Sequence, residues 1–318
     1  MPTRDRREVL LETVDRLRTT TTASAPIEIV IVDDGSSDGT SEAIAGGAPT
    51  LPWPLRVLRQ DGAGPAAARN LGMREATAAV CLFTGDDTRA RPGMVEGHLA
   101  FHRTHPAATE ALLGNVVPAP PLDTSPFVRW LHERGTQFGY ALLDPERPVP
   151  PECFWTSNVS VKRQFALDAG GFDEGFPAAA CEDAELGLRL ARRGMRLHYD
   201  PHALGEHYHP TDLERTLRRM QTVGVAYRRL CELAPEMPPP RRPGNRHRLK
   251  AAALEGLMAA RVRSRRVRET SWRFLCDEVQ REAFWGVDGG DVASPRIGSR
   301  LARLALADPL AHPANGLA

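Results

Sequence analysis

No stretch of the sequence approaches the ~20 consecutive apolar residues that a membrane-spanning helix requires. The opening MPTRDRREVL also has no apolar signal-peptide core. Cysteine is scarce. Cys81, Cys153, Cys181, Cys231 and Cys276 are odd in number, widely spaced and without a C-x-x-C pair. That excludes a disulfide framework or cysteine zinc site, and the expectation is a reduced, cytoplasmic protein. Net charge is lacking too: Lys+Arg number 41 and Asp+Glu 40, so no global field draws the chain to nucleic acid. There is no internal repeat. What is present is ordinary for a soluble globular protein, 42% hydrophobic and 25% charged. At roughly 150 residues per domain, the 318 residues suffice for one large or two modest cores, which excludes disorder.

The charge is unevenly placed. Residues 1–240 carry 26 basic and 32 acidic side chains, whereas residues 241–270 carry 10 and 2. The acidic lean of the first block suits a metal-assisted site. The basic segment 241–270 fits a solvated helical face, the favoured reading, or peripheral contact with an anionic membrane surface near a lipid-linked acceptor.

Leu10, Leu11, Val14 and Leu17 stand at helical spacing, and Ile27–Val32 is a nearly continuous β-branched run that reads as a buried strand. It ends in the turn signal Asp33-Asp34-Gly35-Ser36-Ser37-Asp38-Gly39. A helix over 40–46, a strand over 54–59, a helix over 66–78, a strand over 79–84 and a helix over 92–102 follow. This alternation predicts an α/β fold with a Rossmann-like mixed, mainly parallel sheet and helices on both faces. Further on, the pattern predicts helices around 127–143, 184–193 and 212–230, and short strands at 158–161, 196–199 and 203–207. Met237–Pro243 marks a boundary between a catalytic domain over 1–235 and an Arg-rich helical extension over 236–318, whose two helices span 246–285. The tail from about Gly289 is expected to be mobile.

Ligands of such sheets sit beyond the carboxyl ends of the strands. Two strands here end in carboxylate pairs, Asp33/Asp34 and Asp86/Asp87, so both pairs are expected at one rim. They could hold a hard cation that bridges to phosphates, or simply form turns. A calcium loop over Asp34–Ala45 fails, because Ala45 stands where a bidentate Glu belongs. Gly62–Ala67 matches a dinucleotide fingerprint only formally, since no acidic residue ends the next strand at the ribose distance. Glu182, Asp183 and Glu185 cluster at a helix start and could supply a general base or only complement the helix dipole. His207 and His209 share a face only if their strand continues through them. Trp155, with Phe154, could stack a ligand or belong to the packing.

Taken together, Pro2–Arg6, Glu28–Thr40 (EIVIVDDGSSDGT), Gly64–Gly72, Leu82–Asp87 (LFTGDD), Asn158–Lys162, Gly170–Glu174, Glu182–Leu190 and His207 resemble, in order, inverting nucleotide-sugar glycosyltransferases of family 2, which have the A-type fold. The resemblance spans residues 1 to about 230. It implies that Pro2, Thr3, Arg6 and Asp33 hold the nucleoside, with Asp34 beside them, and that Arg69 and Asn70 shape the nucleotide pocket. Asp87 would ligate Mn²⁺ or Mg²⁺, and Asp86 would contact ribose or metal. Asp183, with Glu182, would be the catalytic base, and His207 would reach the metal or diphosphate. Trp155 and Asn158 are assigned to the acceptor.

Two departures stand out. Thr84 replaces the first aspartate of the D-x-D motif. The family's apolar first strand also has no counterpart before Met1-Pro2-Thr3, so the expectation is a chain that starts downstream or is truncated. The function expected is metal-dependent, inverting transfer of a sugar from a nucleotide diphosphate, most simply UDP, to a hydroxyl. The alternatives are a degenerate nucleotide-sugar-binding protein and a sugar nucleotidyltransferase, although the latter's glycine-and-lysine-rich loop is absent.

Overall fold

The computed structural model describes the chain except residues 23, 48–49, 121, 123–124, 136–137, 178, 263, 287–298 and 313–318. In chain order the elements are β1 (Pro2–Thr3), α1 (Arg7–Thr20), β2 (Ile29–Asp33), α2 (Thr40–Gly47), β3 (Leu55–Arg59), α3 (Gly64–Glu75), β4 (Val80–Thr84), β5 (Thr88–Ala90), α4 (Met94–Thr104), β6 (Glu110–Pro118), α5 (Pro126–Glu133), β7 (Asn158–Lys162), α6 (Arg163–Asp168), α7 (Glu182–Arg192), β8 (Arg196–His207), α8 (Leu213–Leu233), α9 (Asn245–Ala259), α10 (Arg265–Trp285) and α11 (Arg300–Leu306).

Packing divides the chain into two compact units. One comprises Met1–Pro120, Leu143–Gly175 and Glu182–His209; the other comprises Pro121–Leu142, Phe176–Cys181 and Pro210–Ala318. The first unit holds two sheets. β1, β2 and β3 form a parallel sheet in that order. The β-branched run of β2 buries Ile29, Ile31 and Val32, and Leu10, Val14 and Leu17 of α1 share a core with Ile29, Ile31, Ile44 and Trp53. Pro2–Thr3 pairs with Val32 and Asp33, the position at which the end of a first strand was expected.

The second sheet has the order β4-β7-β6-β8-β5. Only β6 and β8 run parallel in it; its other pairs are antiparallel. The expected parallel character thus resides in the three-stranded sheet, and the larger one is mixed. The two strands expected at 196–199 and 203–207 are one strand, β8, with a break in its register. Gly114 pairs with Asp200, but the next residue, Asn115, pairs with Leu204. This is a β-bulge, which bends a strand and re-aims the side chains beyond it.

The second unit is helical. Phe127, Trp130, Leu217, Met220, Trp272 and Leu275 form its centre, with Phe127 and Trp272 edge to face at 5.2 Å. α8 belongs here rather than with the sheets, because Leu213, Leu217 and Met220 share this core with α10. By packing, residues 210–235 group with the helical unit. The expected mobile tail lies largely outside the described residues. Within 299–312, α11 buries Leu301, Ala302 and Ala305. α9 leaves Leu249 and Leu257 exposed amid its arginines, as is Val262 just beyond it.

At Gly224 of α8 a Cβ would collide with the carbonyl oxygen of Gln280 on α10 and lie 2.7 Å from the Ala283 Cβ. Gly224→Leu should pry these helices apart and destabilise the unit by about 2 kcal/mol, the usual scale for overpacking. Urea unfolding followed by tryptophan fluorescence measures this; an unchanged midpoint would contradict the close approach.

Candidate active site

The carboxyl ends of β1, β2, β4, β6 and β8 meet the starts of β5 and β7 along one rim. Register creates this meeting. Thr3 lies opposite Asp33, Thr84 opposite Asn158, and His207 opposite both Thr88 and Pro118. The Thr3 hydroxyl links the two sheets by donating to Asp86 Oδ2 at 2.8 Å. The carboxylate pairs at the ends of β2 and β4 therefore do share a rim.

Between β4 and β5 the chain turns through Gly85-Asp86-Asp87. A Cβ on residue 85 would lie 2.6 Å from Asp87 Oδ1, so only glycine lets that carboxylate fold back. The Tyr208 N–H donates to the Asp87 carbonyl at 2.7 Å, and the Tyr208 ring stacks under the Arg89 guanidinium at 3.9 Å. This places His207 Nε2 3.5 Å and His209 Nδ1 3.6 Å from Asp87 Oδ2. The two rings are nearly parallel, 5.3 Å apart. One ligand atom from each of Asp87, His207 and His209 lies within 4.8 Å of the others, so these three could hold a metal ion.

Arg6 spans the adjacent carboxylates, donating to Asp86 Oδ1 at 3.1 Å and to Asp87 Oδ2 at 2.6 Å. Burial pushes Asp87 up, but His207, His209 and Arg6 outweigh it and hold the carboxyl well below the ordinary range. Asp86 goes the other way, raised by burial and by the charge of Asp87. One carboxylate is thus kept as a firm anion while its neighbour resists ionisation.

Asp183 stands at the N-terminal turn of α7. Its carboxylate accepts the Thr156 N–H at 3.4 Å and the Ala184 N–H at 2.8 Å. Thr156 lies two residues before Asn158, which pairs with Thr84 at the end of β4, so Asp183 is held at the β7 end of this rim. Removal from water and the charge of Glu182 raise Asp183 to about 6. Glu182 pairs with Arg69 at 2.7 Å. Its other oxygen is buried without a hydrogen-bond partner among the described residues.

Other predicted site residues have different employment. Asp33 is buried, with its oxygens taken by the Ser36 N–H at 2.8 Å, the Ser41 hydroxyl and Arg59 at 2.9 Å. Asp34 accepts Gln60 Nε2 at 2.7 Å and the Gly64 N–H at 3.0 Å, anchoring the start of α3. Pro2 is a half-buried strand residue. Asn70 is occupied within the fold: its amide donates to the Phe172 carbonyl and Glu174 and accepts the Phe172 N–H, clamping the Gly170–Glu174 loop. Gly171 permits that approach, since a Cβ there would strike Asn70 Oδ1. Asn158 is likewise withdrawn from any acceptor. It is fully buried, and its amide is spent on His98, Asn115 and Ala203. Asp86 lies outside the histidine cluster, occupied by Thr3 and Arg6. Trp155 is half-buried in the turn that leads into β7. His209 is the ligand candidate that the motif-based assignment omitted; its spacing of two from His207 was the available signal.

Residues 1–157 match the model described as Glycosyl transferase family 2. The chain is 31% identical over 216 residues to validoxylamine A glucosyltransferase of Streptomyces hygroscopicus subsp. jinggangensis, covering 61% of this chain and 51% of that protein. It is 32% identical over 215 residues to pre-mycofactocin glycosyltransferase of Mycobacterium tuberculosis, covering 65% and 43%. The chain thus spans about half the length of these curated relatives. Among solved structures, the mannosyltransferase PcManGT of Pyrobaculum calidifontis, in complex with GDP-Man and Mn²⁺, superposes with a TM-score of 0.60 at 18% identity, covering 90% of this chain and 86% of that one. TarS of S. aureus in complex with UDP superposes at 0.52 and 15%, covering 89% and 88%. These likenesses establish the A-type glycosyltransferase fold.

Gly85→Ala should displace the Asp87 carboxylate and weaken Mn²⁺ binding by about tenfold or more, the scale seen when the surroundings of metal ligands are disturbed. Titration calorimetry of the full chain without donor measures this. Unchanged affinity would show that Asp87 does not need its folded-back position.

Proposed function

We propose that this protein is a metal-dependent inverting glycosyltransferase that moves a sugar from a nucleotide diphosphate, UDP in the simplest reading, to an acceptor hydroxyl. The observation that carries the reading is the convergence of Asp87, His207 and His209 on the same rim as Asp183. The donor set of one carboxylate and two imidazoles fits Mn²⁺ better than Mg²⁺, which favours oxygen ligands. A divalent cation held there would neutralise the diphosphate, so that the leaving group departs without a proton.

The chain's own residues supply the rest. Arg6 and Thr3, beside the aspartates, fit the nucleotide side. Asp183 takes the acceptor hydroxyl proton as that oxygen bonds to the anomeric carbon and the bond to the diphosphate oxygen breaks. A single displacement from the face opposite the leaving group inverts the configuration. A base works best with a pKa near the operating pH, and a value of about 6 leaves Asp183 ionised but still basic at neutrality.

The names of two curated relatives point to small-molecule acceptors, validoxylamine A and pre-mycofactocin, and a small-molecule hydroxyl is the acceptor class we favour. A lipid-linked acceptor at an anionic bilayer is a second reading, favoured by the exposed Leu249, Leu257 and Val262 within the basic segment 241–270. Flotation with phosphatidylglycerol vesicles at low salt separates the two: capture of the full chain supports the bilayer, and none removes it.

Donor turnover with Mn²⁺ and supplied acceptors tests the main reading. Asp183→Asn should abolish transfer while leaving donor binding in place. In the wild type, activity should rise with pH through about 6, because the raised carboxyl must lose its proton to act. Mn²⁺ should support more activity than Mg²⁺. Binding without turnover in the wild type would instead favour a degenerate nucleotide-sugar-binding protein, and full activity in Asp183→Asn would remove Asp183 as the base.

A further inference from the structure

A buried polar chain outside the catalytic rim crosses the larger sheet between α4 and β7. Lys162 Nζ lies 2.9 Å from His102 Nδ1, and His102 Nε2 lies 2.8 Å from Ser160 Oγ. Ser160 Oγ lies 2.7 Å from His98 Nδ1, and His98 Nε2 lies 2.9 Å from Asn158 Oδ1. Asn158 Nδ2 then donates to the carbonyls of Asn115 at 3.0 Å and Ala203 at 2.8 Å. Asn158 and Ser160 are fully buried, and His98 is 3% exposed.

The far end dictates every proton. Carbonyl oxygens only accept, so the Asn158 nitrogen is the donor and its oxygen accepts from His98 Nε2–H. A neutral His98 then leaves Nδ1 to accept the Ser160 proton. Ser160, its one proton spent, accepts from His102 Nε2–H, and His102 Nδ1 accepts from Lys162. Burial supports the neutral imidazoles: it is the largest influence lowering His98 to about 4 and His102 to about 3, with Lys162 lowering His102 further.

The two carbonyls that Asn158 satisfies flank the register break between β6 and β8. Gly114 makes room for it, since a Cβ there would strike both Asn158 Nδ2 and the Ala203 carbonyl oxygen. Everything beyond the break inherits its register, through to His207 opposite Thr88 and Pro118. A slip of one residue would send that strand's side chains to the opposite face. We propose that the chain from Lys162 through His102, Ser160 and His98 is a positioning device: it presents the Asn158 amide as the plug of the β6–β8 bulge and thereby aims His207 and His209 at Asp87. In its consequence for metal binding, this rests on the reading of those residues as a cation site.

Two substitutions of one histidine separate positioning from bulk. In His98→Gln the amide can occupy the place of Nε2 and still donate to Asn158. In His98→Asn it can occupy only the place of Nδ1, so contact with Asn158 is lost. Both remove the ring, so both should lower the melting temperature similarly. Hydrogen exchange of the full-length chain, read in peptides spanning 203–208, should accelerate by about tenfold in His98→Asn and stay near wild type in His98→Gln. Donor-free Mn²⁺ affinity should follow the same split, again by about tenfold. Should His98→Asn not fold, Ser160→Ala, which removes the hydrogen bond that holds the His98 ring from its Nδ1 side, should show the same two losses. Equal exchange at 203–208 in the Gln and Asn variants, or wild-type exchange in Ser160→Ala, overturns the proposal. A wild-type protein that binds no Mn²⁺ overturns the metal reading instead, and the exchange comparison still decides this one.

Discussion

The site depends on a short antiparallel clamp. Three residues of β5 lie against the end of β8, and the Tyr208 N–H closes onto the Asp87 carbonyl. Asp87 and the two histidines are more than a hundred residues apart in sequence, yet this backbone pairing leaves their side chains only one direction to point. Gly85 leaves room for the Asp87 carboxylate on one side, and the Arg89 guanidinium stacks on the Tyr208 ring on the other. The geometry of this cluster is therefore a consequence of strand register rather than of a motif carried on one segment.

Gathering carboxylates at one rim creates repulsion, and the chain meets it with arginines. Arg6 serves Asp86 and Asp87, Arg59 serves Asp33, and Arg69 serves Glu182. Asp183 is held instead by the backbone amides of Thr156 and Ala184. Burial and the charge of Glu182 outweigh those amides and keep its proton more tightly than that of an ordinary aspartate, while Asp87 is driven the other way by its cationic neighbours. Environments that push similar groups apart in this manner are how one scaffold assigns an anion to one task and a base to another.

Much of this was legible in the residues. The IEIVIV run, the carboxylate pairs closing β2 and β4 and the Glu182-Asp183 helix start all declared themselves through composition and turn chemistry. β6 did not, because Ala111, Leu112 and Leu113 are all buried, which erases alternation, and Gly114 and the prolines nearby look like a loop. β5 is too short to leave a periodic signal. His209 lies past the end of its strand, where direction depends on a partner far away in the chain. Asn70 and Asn158 misled in the opposite sense. Their amides sit inside motifs shared with nucleotide-sugar enzymes, but burial shows them satisfying backbone groups rather than waiting for a ligand.

The central claim is that one carboxylate and two imidazoles bind the same cation. Pulsed electron paramagnetic resonance of the Mn²⁺-loaded full chain tests it directly, because nitrogen nuclei bound to the ion modulate the echo. The account predicts coupling from two histidine nitrogens, reduced to one in His209→Ala. A Mn²⁺ spectrum without nitrogen coupling, or one unaltered by that substitution, would contradict it.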